Sequence, residues 1–138
     1  MISYYNEYYA DLISPEDRFA IFRISADLHD IIYDGDANNS LIYEDMARLY
    51  FSLSDKENGY LYLEKALDTW IQSLEISESE EAPPLYKSPL FNRLIRNKPQ
   101  RTAGTNIYLN NLKTEKEYDC VRNEERFVQC VNRLEELI

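Results

Sequence analysis

Only three glycines and five prolines punctuate the 138 residues of this chain. So few turn formers leave little room for a sandwich of many short strands, and they favour long helices. The hydrophobic periodicity agrees. Ser14 and Pro15 stand at a helix start, as N-cap and first helical residue, and Glu16 and Asp17 add negative charge where the helix dipole favours it. Phe19, Phe22, Ile24, Ala26, Leu28, Ile31 and Ile32 then recur at helical spacing. Ser40 reads as the cap of a helix reaching about Leu53. SDKEN (54–58) reads as a tight turn, followed by a long helix to about Ile76. An aromatic segment at 2–12 is predicted helical, as are a short piece at 89–96 and two closing segments at about 103–113 and 123–137. No strand alternation is present, so the predicted fold class is all-α.

The length fits one domain or a few stacked repeats. A hydrophobic fraction of 44 % supports a core despite a net charge of −10. No apolar run approaches the roughly 20 residues of a membrane span, and the first residues lack the basic start and apolar centre of a signal peptide. A cytoplasmic chain with no membrane contact is expected. Cys120 and Cys130 are expected to be ordinary, mostly buried thiols, because neither has further Cys or His nearby to complete a metal site. His29 lies near Asp27 and Asp30, an arrangement that can orient a base. A lone His on an amphipathic helix is more simply structural. With no Gly-rich phosphate loop, HExxH or CxxC, no catalysis and no cofactor are expected. Glu78, Glu80 and Glu81 lack the glycine and alternating oxygen ligands of a calcium loop, so no metal is expected there.

Residues 43 onward resemble a tetratricopeptide repeat. Tyr43, Met46, Ala47 and Tyr50 take the places of its first helix, and Gly59, Leu63 and Ala66 those of its second. Ile71 stands where the closing proline belongs. Small residues at 47, 59 and 66 would let two antiparallel helices approach closely, with large residues filling the space around them. An earlier copy on Tyr4, Ala20 and Ile24 fits less well. The resemblance implies antiparallel hairpins stacked as a short, right-handed, tetratricopeptide-like array. Within a single domain (1–138), 39–76 is the best-matched repeat, 77–102 a loop-rich basic insertion and 103–138 a terminal helix pair. From about residue 40 onward, the hairpin, YKSPLFN (86–92) and EYDCVRNEERF (117–127) resemble the C-terminal portion of Xre-type, phage-repressor-like helix-turn-helix transcription regulators of Gram-positive bacteria. That resemblance implies a dimerisation or effector domain, and nothing in the chain matches the DNA-reading helix that precedes it in the family.

Two surfaces are candidate sites. Glu44, Arg48, Phe51 and Ser52 match positions that line the peptide groove in tetratricopeptide families; the alternative is a solvated face with Phe51 packed on a neighbour. Between Ala82 and Thr114 there are six basic residues and no acidic one. Arg93, Arg96, Lys98 and Arg101 there form a candidate anion patch, unless they fold back onto the acidic helices. The overall charge opposes direct nucleic-acid contact. The expected partner is a protein or peptide, with a homodimer formed through Tyr4, Tyr5, Tyr8 and Tyr9. The helix of Phe127, Val131 and Leu134 would cap the array.

Overall fold

The computed structural model describes residues 12–32, 37–78 and 100–138. These residues form five α-helices: α1 (Pro15–Ile32), α2 (Asn38–Ser52), α3 (Lys56–Glu78), α4 (Arg101–Thr114) and α5 (Glu125–Glu135). A 3-10 turn, Lys116–Tyr118, follows α4. No strand occurs among the described residues, and no helix among them is long and apolar enough to cross a membrane. The all-α expectation holds there. The predicted helices at 2–12 and 89–96 lie outside the described residues, apart from Leu12.

Local chemistry sets the boundaries. The Asp17 N–H donates to Ser14 Oγ at 3.2 Å, and Ser14 Oγ donates back to Asp17 Oδ2 at 3.0 Å, a reciprocal cap at the predicted place. The start of α2 differs from expectation. Ser40 lies inside the helix, fully buried, and its hydroxyl donates to the Ala37 carbonyl at 2.5 Å. Its side chain therefore serves the interior rather than a cap. The α2–α3 turn is short because two motifs abut. The N–H groups of Ser54 and Asp55 bond back to the carbonyls of Phe51 and Tyr50, each at 3.0 Å. That is a Schellman closure with Ser54 at φ 63°, a place usually held by glycine. Asp55 then caps α3, its Oδ1 accepting the Asn58 N–H at 3.2 Å.

Helices α2 and α3 run antiparallel. Phe51 meets Tyr60 edge-on at 5.3 Å, Tyr50 stacks on Tyr62 at 5.4 Å, and Lys65 Nζ lies 4.3 Å from the Tyr43 ring centre. Ala47, Leu63, Ala66 and Leu67 are fully buried. At Gly59 a Cβ would lie 2.7 Å from Phe51 Cε1, so only glycine admits that ring. Helix α1 covers one side of the pair with Phe22 and Ala26, and Phe19 packs on Tyr50 at 4.1 Å between ring centres. The other side is covered by α4, the 3-10 turn and α5, through Tyr108, Leu112, Tyr118, Val121, Phe127, Cys130 and Leu134. Cys130 is buried, as expected, and burial pushes its thiol up to about 11; Cys120 is exposed, contrary to expectation, because it falls in the turn after Tyr118.

Helix α4 is placed by Trp70. The indole Nε1 donates to Thr105 Oγ1 at 3.1 Å, and a Cβ on Gly104 would lie 2.3 Å from the ring edge. Gly104→Ala gains up to about 1 kcal/mol of helix propensity. It also forces a buried indole aside, and overpacking of this kind costs about 1–3 kcal/mol. The variant is expected to melt lower, with altered Trp70 fluorescence; an unchanged or raised Tm would contradict this placement of α4.

Candidate functional site

Among the described residues a polar seam runs along α2. Ser40, Glu44 and Arg48 recur every four residues and form one ridge. Each finds a partner on α4 or the segment after it. The Ser40 hydroxyl bonds to the Tyr108 hydroxyl. Glu44 is 2 % exposed; it accepts from Asn111 Nδ2 at 3.1 Å and from the Tyr118 hydroxyl at 3.3 Å. Arg48 donates to Glu115 Oε2 at 3.0 Å and Glu117 Oε1 at 3.5 Å. Phe51 ends the ridge, 3 % exposed, with Tyr118 edge-on at 5.7 Å.

Burial dominates the electrostatics. It pushes the Glu44 carboxyl up to about 7; Asp45 pushes the same way, and Asn111, Arg48 and Tyr118 oppose. Burial likewise holds the hydroxyls of Tyr108 and Tyr118 well above the ordinary tyrosine range, with the Glu44 charge adding to the effect.

Of the predicted groove residues, the structure brings Glu44, Arg48 and Phe51 together under the chain's own segment 108–118. Ser52 is exposed, its hydroxyl turned back to the Leu49 carbonyl at 2.6 Å. Tyr108, Asn111 and Tyr118 are the partners that sequence reading missed. The signal available was a complementary polar spacing, 108–111–115 against 40–44–48.

Arg93, Arg96 and Lys98 of the predicted anion patch lie outside the described residues. Arg101 holds Glu78 through two bonds, at 2.9 and 2.5 Å. An open, mostly apolar hollow of about 210 Å³ lies between α4 and α5, floored by Leu112, Phe127 and Val131. Its rim cations are engaged internally, Lys113 with Glu135 at 2.9 Å and Arg122 with Asp119 at 2.5 Å. Among the described residues no three acidic, His or Cys side chains converge to hold a metal.

Helix α1 presents a different kind of surface. Its inward stripe is Phe22 and Ala26, both buried, with Phe19 half-buried beside them. A second stripe, Ile21, Ile24, Leu28 and Ile31, lies on the opposite face, and Ile24, Leu28 and Ile31 are 57, 44 and 70 % exposed. Compared with known proteins, the chain matches no family, no curated protein and no solved structure.

Phe51 separates an open groove from a filled one. Truncating an aromatic on an open face barely changes stability, whereas a buried Phe→Ala costs about 3–5 kcal/mol. Phe51→Ala is expected to cost within that range by urea denaturation. A loss within about 0.5 kcal/mol, the scale of most surface substitutions, would mean the face is open.

Proposed function

We propose that this chain is a non-catalytic protein-interaction domain that pairs with a second copy of itself through the outer stripe of α1. The supporting observation is that α1 is apolar on two opposite faces and that, among the described residues, Ile24, Leu28 and Ile31 of the outer one stand exposed, with Ile21 half-buried. A helix apolar on both faces belongs between two packed surfaces. The spacing of Ile21, Ile24, Leu28 and Ile31, alternately three and four residues, is that of a two-helix seam. The stripe is also self-complementary under a two-fold axis: in an antiparallel pairing Ile21 comes opposite Ile31 and Ile24 opposite Leu28. Ala20 and Ser25 flank it with small side chains.

The finer architecture is read as tetratricopeptide-like. Its support is the close α2–α3 pair with Ala47, Gly59 and Ala66 at the contact. The resemblance to Xre-type regulators sets such a domain beside a DNA-binding module, where pairing would bring two readers together. A stand-alone helical scaffold is the second reading, favoured by the coverage of Glu44 and Phe51 by the chain's own segment. An in-frame helix-turn-helix segment upstream in the gene supports the first context, and its absence the second.

Light scattering is expected to give a dimer at high protein concentration. Leu28→Glu is expected to give a folded monomer with unchanged helicity, since Leu28 is no part of the core, and to lose the concentration dependence of Tm that pairing gives the parent. A parent chain that stays monomeric, or a Leu28→Glu variant that stays dimeric, would overturn the α1 interface.

A further inference from the structure

We infer that the seam between α2 and residues 108–118 is a proton-operated latch: docking takes up one proton at Glu44, and release of that proton to solvent loosens α4 and the 3-10 turn from α2. The geometry carries the inference. Glu44 is 2 % exposed at the contact and makes no ion pair among the described residues. Asn111 and the Tyr118 hydroxyl favour its ionised form, burial outweighs them, and in the protonated state the carboxyl O–H donates to the Tyr118 hydroxyl instead of accepting from it. A buried carboxylate needs a counter-ion, and without one it neutralises instead. The nearest cation on its helix is Arg48, one turn on; it attracts the Glu44 charge without pairing with it, and its ion pairs go to Asp45, Glu115 and Glu117.

The other groups facing this position do not supply the missing charge. Asp45 on α2 is negative, as are Glu115 and Glu117 from the segment after α4. Tyr108 from α4 and Tyr118 from the turn stay protonated, since burial raises both hydroxyls. The charged side chains that α1 and α3 bring to this part of α2, Asp27, Asp30 and Lys65, act at Tyr43 on a different face. Around Glu44 the balance is therefore negative, and the raised carboxyl agrees.

The sign follows from linkage. The docked carboxyl titrates near 7, against an ordinary value of 4.5 when exposed. The docked state binds the proton more tightly, so its advantage is complete below the ordinary value and is lost as pH rises through about 7. Raising the pH from about 6 to about 8 should multiply the undocking equilibrium about tenfold. Undocking would bare Phe51 and the Glu44–Arg48 ridge, the face that the repeat resemblance names as a groove. The latch does not depend on the α1 surface.

Amide hydrogen exchange on the full chain, corrected for the intrinsic pH dependence of exchange, tests this. Protection within 108–118 should fall about tenfold between these two pH values while protection in the α2–α3 core holds, and Glu44→Gln should abolish the difference. Equal pH dependence in parent and variant, or an even loss across α2, α3 and α4, would overturn the latch. Should Glu44→Gln not fold, the parent alone decides by NMR titration of the Glu44 carboxyl carbon. A midpoint above about 6 supports the latch, and one below about 6 overturns it.

Discussion

The close approach of α2 and α3 at Ala47 and Ala66 places the other described elements. Both alanines are fully buried; a larger side chain at either would push the helices apart and misalign the surfaces on each side. With the pair held close, Tyr43, Tyr50 and Tyr62 form one aromatic edge that receives Phe19 and α1. Phe51, Leu63, Leu67 and Trp70 form the opposite side, which receives α4 and α5. Directional bonds set the register of α4, from Trp70 to Thr105 and from Ser40 to Tyr108, because apolar burial alone does not specify angle.

The outer ion pairs contribute little to this arrangement. Arg126 grips Glu64 through two bonds, Arg133 reaches Asp68 and Lys56 reaches Glu124, tying α5 and its approach to α3. All are partly or largely exposed, and such pairs are worth about 0–1 kcal/mol each. They complement the surface of a very acidic chain and help orient α5, while Phe127, Cys130 and Leu134 beneath them supply its burial. Glu44 is the opposite case. Buried, bonded to Asn111 and Tyr118 and in no ion pair among the described residues, its carboxyl is raised by burial rather than lowered by a partner.

Much of the helix pattern was legible in the sequence because it rests on local rules. Ser14 and Pro15 mark the start of α1, and the apolar spacing predicts α2, α3 and α5 to within a few residues. Ser40 misled because a serine before an apolar run reads as a cap; its true partner, Tyr108, lies far along the chain, and no local rule links them. For the same reason Glu44, Arg48 and Phe51 read as an outward face. Helical periodicity shows which residues share a side, and it does not show that a segment more than sixty residues later will lie on that side. The exposed stripe on α1 is present in the same pattern, but helical spacing alone does not separate Ile24, Leu28 and Ile31 from the covered Phe22 and Ala26.

Coverage of the α2 ridge by the chain's own C-terminal segment joins the fold, the filled face and the proton-sensitive seam. It is tested most directly by aromatic NOE spectroscopy of the full chain at slightly acidic pH. The Tyr118 ring lies 5.7 Å from the Phe51 ring and 5.4 Å from the Phe127 ring, centre to centre. Strong cross-peaks from Tyr118 to both phenylalanines are expected. A Tyr118 ring with no cross-peak to Phe51, together with a freely solvated Phe51 side chain, would contradict the account.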